Sequence, residues 1–195
     1  MKNAKVQKMV GVSLLIAVML VLQFLSTVFP IKIGPVALSL VLIPIVLGAA
    51  TYGISAGGVL GGAFGVMTYI FCVNGMDAGG QMVFQASPIL CFVVVMAKGI
   101  LCGLAAGVVY KLLHKVNGYV AMLSAAIICP VVNTGVFLMG MFLWFMDVLK
   151  LWAGGSDVVG YVLSGLILIN FLPELAINVI FSPAGQRILR SIKKI

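Results

Sequence analysis

The feature that most constrains this chain is a series of long, unbroken apolar runs separated by brief joins of glycine, proline, asparagine and charge. Stretches such as LSLVLIPIVLGAA and GYVLSGLILINFLPELAINVIF outrun the alternating segments of about ten residues that build a membrane β-barrel. They predict helices. A spanning helix needs about 20 mostly apolar residues, and the runs fall near residues 9–29, 36–52, 54–73, 88–112, 118–146 and 158–182. Of the 195 residues, 63% are hydrophobic and 8% charged, against about 25% charged in soluble domains. The chain therefore carries more apolar surface than a soluble core can bury. The expectation is an all-α membrane protein: one integral domain over residues 1–195, with six transmembrane helices in a compact bundle.

The net charge of +8 sits at segment ends. Lys2, Lys5 and Lys8 precede the first run, Lys111 and Lys115 occupy a short connection, and Arg187, Arg190, Lys193 and Lys194 close the chain. With six crossings these cations share one side, which by the positive-inside rule places both termini in the cytoplasm. Contact with anionic lipid follows. Nucleic acid is not an expected partner, because no basic and aromatic patch lies outside these flanks. No room remains for an attached ATPase domain, and no GxxxxGK[ST] phosphate loop occurs.

The run from Met9 to Phe29 is too long for an ordinary signal h-region and has no A-x-A site, so it reads as a retained helix. Cys72, Cys91, Cys102 and Cys129 are scattered singly through apolar segments; without CxxC spacing or clustered histidines they read as small buried hydrophobes, with no metal or cofactor expected. His114, beside two lysines in KLLHKVNGY, reads as part of a solvated loop. The expected external connections are FPIKIGP, VNGMDAGGQMVFQASP and MDVLKLWAGGSDVVG. The last two are long for so short a chain and read either as ligand-covering loops or as plain connectors.

In the third run Gly57, Gly61 and Gly65 recur every four residues, flanked by Gly58 and Gly62. One helix face is nearly bare backbone. In lipid, helices associate by close van der Waals approach, which glycine permits. Ser13 and Ala17 repeat the small-xxx-small spacing in the first run. Packing within the chain and docking of another membrane subunit are both open readings, and docking is the expectation carried forward for these five residues.

Strongly polar groups lie deep inside three runs, where a charge costs at least about 2.5 kcal/mol unless paired or facing water. At 1.5 Å per residue, Lys98 lies ~15 Å from the external end of the fourth run, and Asn133 and Asn170 come to ~18 Å in the fifth and sixth. Asn170, Glu174 and Asn178 fall at i, i+4 and i+8, a stripe on one helix face. Lys98 either pairs with Glu174 or offers its ammonium to an anionic ligand group. Pro130 and Pro173 precede Asn133 and Glu174 and free backbone carbonyls there. The expected binding residues are Lys98, Asn133, Asn170 and Glu174. Phe142, Trp144, Phe145 and Trp152 read as interfacial anchors or as an apolar roof over a ligand. No Ser-His pair within the membrane, Asp dyad or HExxH is present, so no enzymatic activity is expected.

Taken in order, LSLVLIPIVLGAATYGISAGGVLGGAFG, AKGILCGLAAGVVYKLL, CPVVNTGVF and NFLPELAINVIFSPAGQRIL make the whole chain resemble the substrate-binding S component of an energy-coupling factor (ECF) type vitamin importer. The resemblance implies capture of a water-soluble vitamin by the outer parts of helices four to six and loops one, three and five. It also implies partners: a transmembrane coupling subunit and two cytoplasmic ATPases, against which the S component topples with its ligand. Small residues on the first three helices would meet the coupling subunit; the family's AxxxA pattern in helix one appears here only as Ser13 to Ala17. Within the resemblance, pantothenate is a candidate because Lys98 can meet its carboxylate, and riboflavin is another. The rival classes are a self-sufficient secondary transporter with Glu174 or Lys98 as its proton-coupled group, and an assembly protein without ligand.

Overall fold

A computed structural model of the chain describes residues 4–28 and 40–193. The helices in chain order are α1 (Ala4–Val28), α2 (Leu42–Tyr52), α3 (Ile54–Val73), α4 (Ala78–Ala86), α5 (Pro88–Leu113), α6 (Gly118–Trp144), α7 (Met146–Ala153) and α8 (Val158–Tyr161). A π-helical stretch, Val162–Phe171, then leads into α9 (Leu172–Lys193). Five helical segments are long and apolar enough to cross a membrane, and α2 is a shorter apolar helix. The bundle thus accommodates six spans, and no strand occurs among the described residues. The loop FPIKIGP and residues 36–39 of the expected second span lie outside the described residues.

Local chemistry sets the helix starts. Ser87 caps α5 by accepting from the Leu90 amide at 3.5 Å, with Pro88 in the first turn, where its missing N–H is not needed. Asn117 caps α6 by accepting from the amides of Tyr119 and Val120 at 2.8 and 3.4 Å. Between α2 and α3 the entire connection is Gly53, at φ 92°, a conformation open to glycine and strained for other residues. The pair is antiparallel: a Cβ on Gly57 would meet that of Ala49 at 2.8 Å, and one on Gly48 would meet the Leu60 side chain.

The glycine ridge of α3 packs inside the chain. Gly57 lies on the backbone of Gly103, Gly61 on that of Gly99, and Gly65 on that of Val95 and Met96, all buried. Of the two readings, packing within the chain is the one seen for Gly57, Gly61 and Gly65. The bare face of α3 meets a second glycine row, Gly99, Gly103 and Gly107 of α5, and the two antiparallel backbones approach as only glycine allows. Ser13 and Ala17 differ: both are exposed, on a helix whose apolar outer face carries Val10, Leu14, Val18 and Val21.

Lys8, Lys111 and Arg190 belong to the end of the bundle opposite the α4 and α7 helices. Lys8 Nζ donates to Ser55 Oγ at 3.0 Å, Ile54 abuts Gly107 just before Lys111, and the Arg190 guanidinium lies 4.5 Å from the Tyr119 ring centroid. This is the end that the positive-inside rule expects to face the cytoplasm.

Two boundaries depart from expectation. The helix containing Pro130 runs unbroken from Gly118 to Trp144, with Pro130 buried, and then restarts after Phe145 as α7. The last helix continues past 182 to Lys193. Its end is amphipathic, with Gln186 and Leu189 buried and Arg187 and Arg190 exposed, so apolarity stops before the packing does.

Candidate functional site

Near the outer end of the bundle, α3, α5, α6 and the last helical run enclose a cavity of about 90 Å³. Lys98, Asn133, Asn170 and Glu174 all line it. Four polar side chains from three helices thus reach one enclosure. Asn133 and Glu174 are buried, and Lys98 and Asn170 are half-buried.

The geometry answers the pairing question for Lys98. Among the described residues no carboxylate lies within 4.0 Å of its ammonium; the ion pair there is Lys150–Asp147, between exposed side chains of α7. Instead Lys98 Nζ sits 5.0 Å from the Phe137 ring centroid and 5.6 Å from that of Phe64. Two ring faces stabilise the charge by cation–π attraction, and they hold the ammonium in the cavity without neutralising it. Glu174 Oε1 and Asn133 Oδ1 are buried acceptors to which no group among the described residues donates. In a membrane interior such orphans are costly.

The last helix supplies more polarity than the sequence reading found. Glu174, Asn178, Ser182 and Gln186 are all buried, one residue every helical turn along the side facing α2 and α6. Asn178 Nδ2 donates to the Glu174 carbonyl at 2.9 Å, Ser182 Oγ to the Val179 carbonyl at 2.8 Å, and Tyr110 Oη to Gln186 Oε1 at 3.5 Å. Ser182 and Gln186 carried the same i+4 signal as Asn178. Gln186 lay beyond the expected span, which ended at 182, and Ser182 at its last residue. Above them, the helix does not break at Pro173; it widens into the π-helical stretch just before it. Proline brings no N–H to the ladder, and π segments recur at functional sites. Asn170 lies within this stretch, and Glu174 in the first α-turn below it.

Both long external connections fold into short helices. Asp77 starts α4 by accepting from the Gly80 amide at 3.2 Å, and Asp77, Gly80 and Val83 reach the cavity wall. From α7, Trp152 also lines it. The Trp152 indole N–H points to Met82 Sδ at 3.3 Å, and its ring stacks on Phe137 with centroids 6.4 Å apart. Of the four aromatics singled out in sequence, Trp152 therefore roofs the cavity. Phe145 is buried in the adjoining apolar cluster, and Phe142 and Trp144 face outward.

Phe64, Thr68 and Phe137 also line the cavity without having been anticipated. Each lies in helical register with a neighbour on the same wall: Phe64, Thr68 and Cys72 along α3, and Phe137 one turn beyond Asn133. That register was a usable signal, but an apolar ring in an apolar helix does not announce which way it faces. All four cysteines are free and buried.

No curated protein matches the chain. The family model described as the ECF transporter substrate-specific component matches residues 7–184. That match covers most of the sequence, and it encompasses both the helices that wall the cavity and the exposed first helix. The chain belongs to the ECF transporter substrate-specific component family.

Proposed function

We propose that this chain is the high-affinity binding subunit of an ATP-driven ECF importer for a small water-soluble vitamin or related micronutrient, held in a prokaryotic plasma membrane. Family membership supports the binding role. The observation that carries the rest is the convergence of Lys98, Asn133, Asn170 and Glu174 on one cavity beneath α4 and α7. Polar groups placed this deep are expensive unless they serve a solute. ATP hydrolysis falls to two separate ATPase subunits working through a transmembrane coupling subunit.

The cavity, at about 90 Å³, is well below the ~300–1,000 Å³ typical of sites for drug-sized ligands. Entry of a whole vitamin therefore requires α4 and α7 to part, which makes these two helices the lid. On the coupling side, the exposed Ser13 and Ala17 of α1 are the small residues left to meet another membrane subunit, since the α3 glycines are already covered.

The test is mass spectrometry of solute released by denaturing the full chain after mild detergent extraction, together with Ala substitution of each of the four cavity residues. A retained micronutrient, lost in the variants at normal expression, is the expected result. Unchanged affinity in all four variants overturns the site. Uptake by the purified chain alone in liposomes, driven by a proton gradient, overturns the dependence on partners.

A further inference from the structure

The cavity holds two chemically opposite sets of groups. One is the Lys98 ammonium, which rests between the rings of Phe64 and Phe137, with no carboxylate within 4.0 Å among the described residues. The other is Glu174 Oε1 and Asn133 Oδ1, buried acceptors without a donor among the described residues; Glu174 is 4% exposed and Asn133 7%. Both orphan atoms accept hydrogen bonds, so what completes them must carry N–H or O–H groups. What meets the ammonium directly must carry negative charge.

Resting on the binding role proposed above, we propose that the solute is a small organic carboxylate that also bears N–H or O–H donors. The carboxylate meets Lys98, and the donors meet Glu174 and Asn133. The ring of Phe137 connects the ammonium to the roof, because it contacts Lys98 and also stacks on the Trp152 indole. The apolar middle of the solute then lies along this wall, under the roof. A cation meets like charge at Lys98. A neutral ring system brings no direct partner to the ammonium, which is left to the two rings and to the more distant carboxylates of the cavity wall, Asp77 and Glu174.

The experiment is calorimetric titration of the full chain in nanodiscs with matched probes. These are pantothenate and its alcohol analogue pantothenol, biotin and biotinamide, nicotinate and nicotinamide, the neutral vitamin riboflavin and the cation thiamine. The expected result is that the tightest binder is a carboxylate, and that its neutral counterpart binds at least ~30-fold more weakly, as for loss of one partner of a buried charge pair. In Lys98→Met that difference should fall to within about threefold, with Lys98→Arg recovering part of it; Glu174→Gln should weaken both members of the pair together. Tightest binding of riboflavin or thiamine overturns this inference while leaving the binding role standing, and so does equal affinity for a carboxylate and its neutral counterpart. Absence of binding by every probe, with a normal unfolding transition, overturns the proposed function and the inference with it.

Discussion

The Trp152 indole of α7 reaches across to Met82 of α4, its Nε1 lying 3.3 Å from the thioether sulfur, and this contact ties the two external helices together over the cavity. The ring also stacks on Phe137, which borders Lys98. One side chain therefore links the roof to the polar floor.

If that link holds the lid shut, Trp152→Ala should speed solute release more than it slows capture, because changes at a contact surface fall mainly on the off-rate. Loss of one stacked aromatic contact and a weak N–H to sulfur interaction is worth about 1–2 kcal/mol, or ~10-fold in affinity. Retention of the co-purified solute through successive detergent washes reads this directly, and unchanged retention removes the lid role from Trp152.

The opposed glycines predict a sharp difference between neighbouring positions. A Cβ on Gly61 collides with the backbone carbonyl of Gly99, whereas one on Gly62 finds the Ile100 side chain at 3.6 Å, an ordinary contact. Gly61→Ala should lower stability by about 1–3 kcal/mol, the usual scale of overpacking. Solute binding should weaken with it, because Gly99 adjoins Lys98. Gly62→Ala should be close to neutral. Thermal unfolding in detergent compares the pair, and equal effects would mean that the two helices do not meet along this ridge.

Lys98 and Glu174 share a cavity without an ion pair, so their contributions to stability in solute-free protein should be coupled through the cavity and not through a direct contact. Lys98→Met and Glu174→Gln should show an interaction of about 0.5–3 kcal/mol in a double-mutant cycle, the range for residues that share a cavity. Full additivity would show that the two groups do not sense each other in the membrane.

Docking through α1 predicts the reverse phenotype. Ser13→Leu and Ala17→Leu lie on an exposed face and should leave thermal stability and solute binding of the isolated chain within experimental scatter. They should reduce co-purification with the coupling subunit and ATPases, and uptake in cells. Normal assembly and uptake in both variants would move the docking face elsewhere.

The sequence by itself determined the helices and picked out the polar residues that line the cavity. Continuous apolarity leaves a backbone in lipid no arrangement but internally bonded helix or closed barrel. The spacing excluded the barrel, and the basic flanks set the expected orientation. Lys98, Asn133 and Glu174 stood out because polar groups at membrane depth are rare and must face inward. Tertiary structure alone decided what those groups face. Whether Lys98 pairs with Glu174 or rests on Phe64 and Phe137 depends on the relative rotation of three helices, which no single segment encodes. The same holds for the glycine ridge: GxxxG spacing states that a close approach occurs, but the partner is chosen by complementarity, and the second row on α5 was already waiting within the chain. The widened turn before Pro173 and the meeting of α4 with α7 likewise arise from contacts between segments distant in sequence, where local pattern carries no information.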